Sequence, residues 1–374
     1  MRTLVLVMLW CCATAGAQDF VSEKTRFRVQ VAASGLDHPW ALAFLPDGRM
    51  LVTERPGRMR IVAGDGSLSA PLAGVPQVAA LGQGGLLDVV TGREFAANRT
   101  IYFCYSEPGE GGAGMAVARA RLGEKALEEV RVIFRQQPKV RGGAHFGCRI
   151  VQSRDGLLFV TAGERYQRDR AQELSAHLGK VIRIRPDGSA PPDNPFVNRA
   201  GALPEIWSYG HRNPQGAALH PETGALWVHE HGARGGDEIN IPEAGKNYGW
   251  PEITHGIDYS GAPIGIGKSA PGMEQPRYFW VPSIAPSGMA FYTGDAFPAW
   301  KGNLFVGALA GQRLVRLELD GVAVKHEEHL LGELNERIRD VRAGPDGLIY
   351  VLTDSSSGRI LRIEPFRLEP QPAR

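Results

Sequence analysis

An all-β chain closed into a six-bladed β-propeller of four-stranded antiparallel blades is the fold class this sequence predicts. Three observations carry it. A turn pair followed by an apolar strand recurs six times, the spacing between copies averages about 60 residues, and no long stretch shows helical periodicity.

From the N-terminus, Arg2, the apolar run from Leu4 to Trp10 and the small residues Ala15-Gly16-Ala17 read as a secretory signal peptide over residues 1–17. The apolar run is too short to span a bilayer, and no later segment approaches ~20 uninterrupted apolar residues. Cys12 lacks the small preceding residues that a lipoprotein cleavage site needs. The expectation is an exported chain, periplasmic or secreted, with no membrane span and with residues 18–374 forming a single propeller domain. The balance of 42 basic against 40 acidic residues, net +2, gives no electrostatic case for a nucleic-acid partner. The 47 glycines and 26 prolines suit many short strands joined by tight turns.

The six copies are residues 47–54 (DGRMLVTE), 98–103 (NRTIYF), 155–160 (DGLLFV), 223–228 (TGALWV), 301–306 (KGNLFV) and 346–351 (DGLIYV). Each opens on a Gly or polar turn and continues in Val, Ile, Leu or aromatics, as a buried strand requires. Four are followed by a strand opening on Gly: residues 57–62 (GRMRIV), 179–184 (GKVIRI), 311–317 (GQRLVRL) and 358–363 (GRILRI). These alternate basic with apolar residues, so one face is expected buried and one wet. Radial repetition protects the strand edges that an open sheet would expose, which favours a propeller over a large sandwich or β-helix. The longest spacings fall around residues 160–225 and 228–301, where loops rich in Gly, Pro, Asn and Asp are expected to carry function. Of the four cysteines, only Cys104 and Cys148 survive export. They could pair in an oxidising compartment or remain two buried thiols.

Four blocks offer chemistry. In residues 142–149 (GGAHFGCR), His145 sits among glycines with room for a substrate, and an imidazole suits proton removal near neutrality; taken alone it reads more readily as a structural histidine bonded to backbone. In residues 207–216 (WSYGHRNPQG), Arg212 and Asn213 offer planar donors for carboxylate or quinone oxygens. Residues 230–240 (EHGARGGDEIN) and 247–250 (NYGW) set carboxylates among glycines with bare carbonyls, an oxygen-rich setting for Ca²⁺. His229 and His231, two apart with no cysteine pair, do not form a zinc pattern. In residues 335–340 (NERIRD), alternation puts Arg337 and Arg339 on one strand face, where they could grip an anion. Residues 82–85 (GQGG) add Gln83 on a glycine turn that lacks a dinucleotide-loop setting, and no nucleophile elbow or phosphate loop appears.

Taken together and in order, these blocks resemble the soluble quinoprotein glucose dehydrogenases, most closely the aldose sugar dehydrogenase branch. The matching stretches run from residues 35–54, through 82–87, 145–163, 205–216, 230–250 and 285–317, to 337–353. The resemblance implies a six-bladed propeller that binds pyrroloquinoline quinone (PQQ) and Ca²⁺ and oxidises aldoses at the anomeric carbon to lactones. The electrons would pass to an external acceptor (quinone, cytochrome or dye), in a monomer or homodimer. By motif, His145 is the general base and Arg212 stabilises charge on the quinone. Gln83, Asn213, Arg337 and Arg339 hold the cofactor, with Tyr259 a further contact. Glu238 and Tyr248 match calcium-binding positions, and the carbonyls of Gly232 and Ala233 match ligands of the cofactor's Ca²⁺. Three residues depart from the glucose-dehydrogenase branch. Ala144 replaces an aspartate beside the base. Ala233 replaces a proline and keeps its carbonyl. Ala310 replaces a cofactor-gripping lysine, which implies either a weaker grip on the quinone's carboxylates or compensation by Gln312 and Arg313. The alternatives are a propeller binding module without redox activity and a metal-dependent lactonase, whose carboxylates would converge on the central channel.

Overall fold

In the computed structural model, which describes residues 17–367, almost all regular structure is strand; the one α-helix, Phe95–Asn98, is a single turn. The signal peptide expected over residues 1–17 lies, but for Ala17, outside the described residues. Six antiparallel sheets form a closed ring. Their inner strands are Pro39–Phe44, Leu86–Thr91, Gly147–Gln152, Pro214–Leu219, Pro286–Phe291 and Ile338–Ala343. Each packs on the next, and the last returns to the first.

The six repeats mark the second strand of every blade: Met50–Glu54, Thr100–Gly109, Leu158–Ala162, Leu226–Glu230, Leu304–Ala308 and Ile349–Thr353. Four of these are buried at every position, because sheets on both sides cover them, so they read as continuous apolar runs. Four blades have four strands, the first has three, and the sixth has five. In the sixth blade the N-terminal strand Arg26–Leu36 pairs with Gly358–Pro365, so the two ends of the chain close the ring in one sheet. This leaves no open edge where the ring begins and ends.

The third strands behave as expected only in part. Arg58–Val62 alternates, yet Lys180–Ile184 is buried throughout. Lys180 is enclosed because its ammonium donates to the carbonyls of Arg170, Ala171 and Leu178, at 3.0, 2.9 and 2.6 Å. Arg316, on the equivalent strand of the fifth blade, is also fully buried; its guanidinium pairs with Glu328 at 2.6 Å and Glu318 at 2.8 Å. Partners replace water for both side chains, with carboxylates keeping Arg316 charged, while burial among carbonyls alone lowers Lys180 to about 7.

Every inner strand meets its neighbour through a register irregularity within its first residues. Bulges re-aim side chains and end regular pairing. Six of them at one end of the ring build the mouth in which the candidate residues gather. Cys104 and Cys148 are joined as a disulfide with Cα atoms 5.7 Å apart, linking the second and third blades three residues beyond His145.

Candidate active site

At the mouth lies a cavity of about 320 Å³, walled by Arg55, Gln83, His231, Arg337, Arg339 and Asp354 among others. That is room for a small organic ligand. Arg339 is buried and donates to Gln215 and Asp354, both at 3.3 Å, while Arg337, half exposed, reaches Asp354 at 3.2 Å. Burial lowers Arg339 to about 10, so it stays cationic near neutrality.

His145 stands on the loop that enters the third blade, with a φ of 54° that few non-glycine residues adopt. Several contacts hold it there. Its backbone N–H donates to Oε1 of Gln83 at 2.8 Å. Arg165 donates to the carbonyls of Ala144, at 2.7 Å, and of Gly142. Gly163 lets the chain pass, since a Cβ there would sit 2.1 Å from the His145 carbonyl oxygen. The imidazole is buried against Tyr166, ring centroids 4.1 Å apart, and Nδ1 lies 2.8 Å from Oε1 of Glu164. Nδ1–H donates to that carboxylate, which leaves Nε2 as an acceptor. Burial lowers the pKa of His145, with nearby Arg212 adding to the effect, and the hydrogen bond that Nδ1–H donates to Glu164 opposes it. The net result is a neutral imidazole at neutral pH, the form a base needs.

Arg212 is joined to this pair through the backbone: the Glu164 N–H donates to the Arg212 carbonyl at 2.8 Å. Its Nη1 donates to the carbonyls of His231, at 3.1 Å, and Gly232. A second histidine–carboxylate pair supports it from behind, with Nδ1 of His211 2.8 Å from Oε1 of Glu230. His145–Glu164 and His211–Glu230 share a separation of 19 residues, so the third and fourth blades repeat one device. His231, on the cavity wall, donates Nε2–H to the Pro286 carbonyl at 2.6 Å and is held well below its usual pKa by burial.

Below the mouth, the buried Arg149, the half-buried Arg342 and two buried aspartates close the channel. Arg149 pairs with Asp88 at 3.3 Å and Asp340 at 2.9 Å; Arg342 pairs with the same two at 2.7 and 2.8 Å. The carboxylates expected of a lactonase channel are thus engaged by guanidinium groups.

Beside Arg212, a recess the size of one small ion is lined by Glu230, Gly232, Glu238, Tyr248 and Thr254 among others. Asn240 Nδ2 lies 3.3 Å from Glu230 and 3.4 Å from Glu238, so two carboxylates share one amide. Burial, reinforced by Glu230, raises the Glu238 carboxyl to about 8. The Tyr248 hydroxyl is engaged by the Ile241 carbonyl and the Glu243 N–H, which leaves its backbone carbonyl for any cation. The Gly232 carbonyl already accepts Arg212, so one lone pair is left to it.

Of the expected residues, Gln83, Arg337 and Arg339 line the mouth cavity, His145 and Asn213 stand behind it, bonded to its wall through Gln83 and Gln215, and Arg212, Glu238, Tyr248 and Gly232 line the recess, which shares His231 with the cavity. Ala233 is buried next to Gly232 without lining the recess. Tyr259 is exposed on a neighbouring loop and lines neither cavity. The help expected from Gln312 and Arg313 does not reach the mouth. Arg313 is held by the Gly311 carbonyl and His329, and Gln312 faces Asn335, in a separate recess on the fifth blade.

Glu164, Asp354 and Arg55 are absent from the sequence blocks above, and His231 entered there only as a rejected zinc ligand. One signal could have found them: all four lie at or just beyond the end of a second strand, where the chain emerges at the mouth.

Comparison with known proteins fits this geometry. Residues 36–362 match the Glucose / Sorbosone dehydrogenase family. The chain is 49% identical over 370 residues to aldose sugar dehydrogenase YliI of Escherichia coli (strain K12), covering 97% of this chain and 99% of that one. The crystal structure of the soluble aldose sugar dehydrogenase from Escherichia coli in the apo-form superposes with a TM-score of 0.89 at 50% identity, covering 91% of this chain and 100% of that one. The PQQ-bound form of aldose sugar dehydrogenase from Streptomyces coelicolor gives 0.75 at 29% identity, covering 94% and 98%.

Proposed function

The chain belongs to the glucose / sorbosone dehydrogenase family and is an oxidoreductase acting on sugars, and from that premise we propose that it oxidises aldoses at the anomeric carbon to lactones with PQQ and Ca²⁺. The observation that carries the cofactor reading is a set of buried donors without partners: Asn213 Nδ2, Arg212 Nε and Arg339 Nε. Buried donors are almost always paired, and a flat, multiply anionic quinone would satisfy several at once. Gln83, Asn213, Arg337 and Arg339 would hold it, and when bound it supplies a two-electron acceptor. For Ca²⁺ the donor set is hard oxygen, from the Glu238 carboxylate and the Tyr248, Gly232 and Ala233 carbonyls. Tyr259 stays a proposed contact on the exposed rim.

In this reading Nε2 of His145 accepts the proton of the sugar's anomeric hydroxyl. Glu164 fixes the tautomer and stabilises the imidazolium that forms, and Arg212 faces the negative charge that develops as the bond to hydrogen breaks. The wall of backbone carbonyls around Arg212 prevents the guanidinium from swinging away. Ala144 costs the site little, since Glu164 supplies the orientation that a neighbouring aspartate would.

Export to the periplasm or medium is part of the proposal, supported by the Cys104–Cys148 disulfide. Among the described residues no helix is long and apolar enough to cross a membrane. The channel ion pairs weigh against a lactonase, and the buried, tautomer-fixed His145 weighs against a binding module that has lost its chemistry. The test is to add PQQ and Ca²⁺ to the purified apoprotein and follow dye reduction with glucose and other aldoses. Sugar-dependent reduction that needs both additions is expected. No quinone binding and no reduction would overturn the reading, and lactone hydrolysis without quinone would favour the lactonase.

A further inference from the structure

The charge balance of the mouth leaves one cation without an assigned role. Three arginines, Arg55, Arg337 and Arg339, line the cavity with a single carboxylate, Asp354. Asp354 is bonded by both Arg337 and Arg339. Arg55 forms no salt bridge among the described residues, and the carboxylate next to it in sequence is already taken: Glu54 accepts Arg58 and Arg60, both at 2.8 Å. Arg55 donates from Nη1 to the Gly82 carbonyl, while its Nε is buried with no partner. Its backbone is fixed on both sides, by its own N–H donating to the His38 carbonyl and by its carbonyl accepting Leu86 N–H, each at 3.0 Å. A rigidly seated guanidinium, unneutralised, with a buried N–H unpaired at the cavity wall, is a poor structural choice and a good anion clamp.

We propose that Arg55 is a third cofactor-gripping cation, which binds a carboxylate of the anionic quinone from the first blade, beside the Arg337–Arg339 pair of the adjoining sixth. The inference rests on the quinone reading above. Through Gly82 it also ties the clamp to Gln83, the side chain that holds the His145 backbone. An occupied clamp therefore steadies the base through two hydrogen bonds.

The experiment is a fluorescence titration of the Ca²⁺-supplemented apoprotein with PQQ and, separately, with its trimethyl ester, which keeps the ring system and removes the carboxylate charges. Wild type, R55Q and R55L are compared, and the variant with the wild-type melting temperature is read. Loss of PQQ affinity by roughly 10- to 100-fold, with ester binding unchanged, is expected for removal of a charged hydrogen bond. Wild-type affinity in the variant overturns the proposal, and so does an equal loss for PQQ and ester, which would mark Arg55 as a support of the Gly82 loop. Failure of the wild-type chain to bind PQQ sinks the parent reading, a result distinct from either.

Discussion

Nδ1 of His145 lies 2.8 Å from Oε1 of Glu164, and both side chains are buried, so the base has one tautomer open to it. Glu164→Gln keeps an acceptor for Nδ1–H and removes the charge that stabilises the imidazolium. kcat is expected to fall by roughly 10²-fold or more. The sign of the pH effect follows from the same contact. Activity rises as pH climbs through the His145 pKa, because the neutral ring is the base. Burial puts that pKa below 6.5, and Glu164 opposes the shift. Removing the charge therefore moves the acid side of the kcat profile to still lower pH. A profile that stays put, or moves up, contradicts this role for Glu164.

Tyr166 provides the opposite test on the same group. Its ring stacks on His145 and is itself exposed, so it shields the imidazole from water. Tyr166→Ala rehydrates His145, weakens the largest cause of its lowered pKa, and is expected to move the acid side of the profile to higher pH. A shift to lower pH would mean that Tyr166 is not what keeps water from the base.

Much of this architecture is legible in the sequence, for a physical reason. Second strands such as Leu226–Glu230 are covered on both faces, so burial writes itself as an apolar run that can be counted. Inner strands are not, because the channel they line is polar: Asp88, Arg149 and Asp340 sit where a core strand would carry Val or Ile, neutralised by partners from other blades. Lys180 and Arg316 misled the reading of the third strands for the same reason. In the site, His145 announces itself by its glycines. Glu164 does not, since its partner lies 19 residues away across two strands and the turn between them. The roles proposed for His145 and Arg212 come from resemblance; the pairing of His145 with Glu164 is visible only in three dimensions.

The channel ion pairs set a stability expectation. Asp340→Ala leaves the buried Arg149 and the half-buried Arg342 with Asp88 as their one remaining shared carboxylate, which costs about 3–5 kcal/mol. The urea midpoint of the apoprotein should fall accordingly. An unchanged midpoint would show that the four charges contribute nothing to holding the second, third and sixth blades together.

The disulfide makes a separate contribution. Cys104 and Cys148 are 44 residues apart, and closing a loop of that length in the unfolded chain is worth about 4 kcal/mol. The double variant Cys104→Ser, Cys148→Ser is expected to unfold at lower urea, and reductant should lower the wild-type midpoint without affecting the variant. Equal sensitivity of both proteins to reductant would locate the effect elsewhere.

We propose that this mouth binds a quinone and that His145 removes the sugar's proton. His145→Ala separates the two. PQQ is titrated into the variant by fluorescence, and aldose-dependent dye reduction is followed on the same sample. Cofactor affinity within a few-fold of wild type, with turnover lost by roughly 10³-fold, is the expected result, because a base acts in the transition state and not in cofactor binding. Turnover near the wild-type rate would contradict the account.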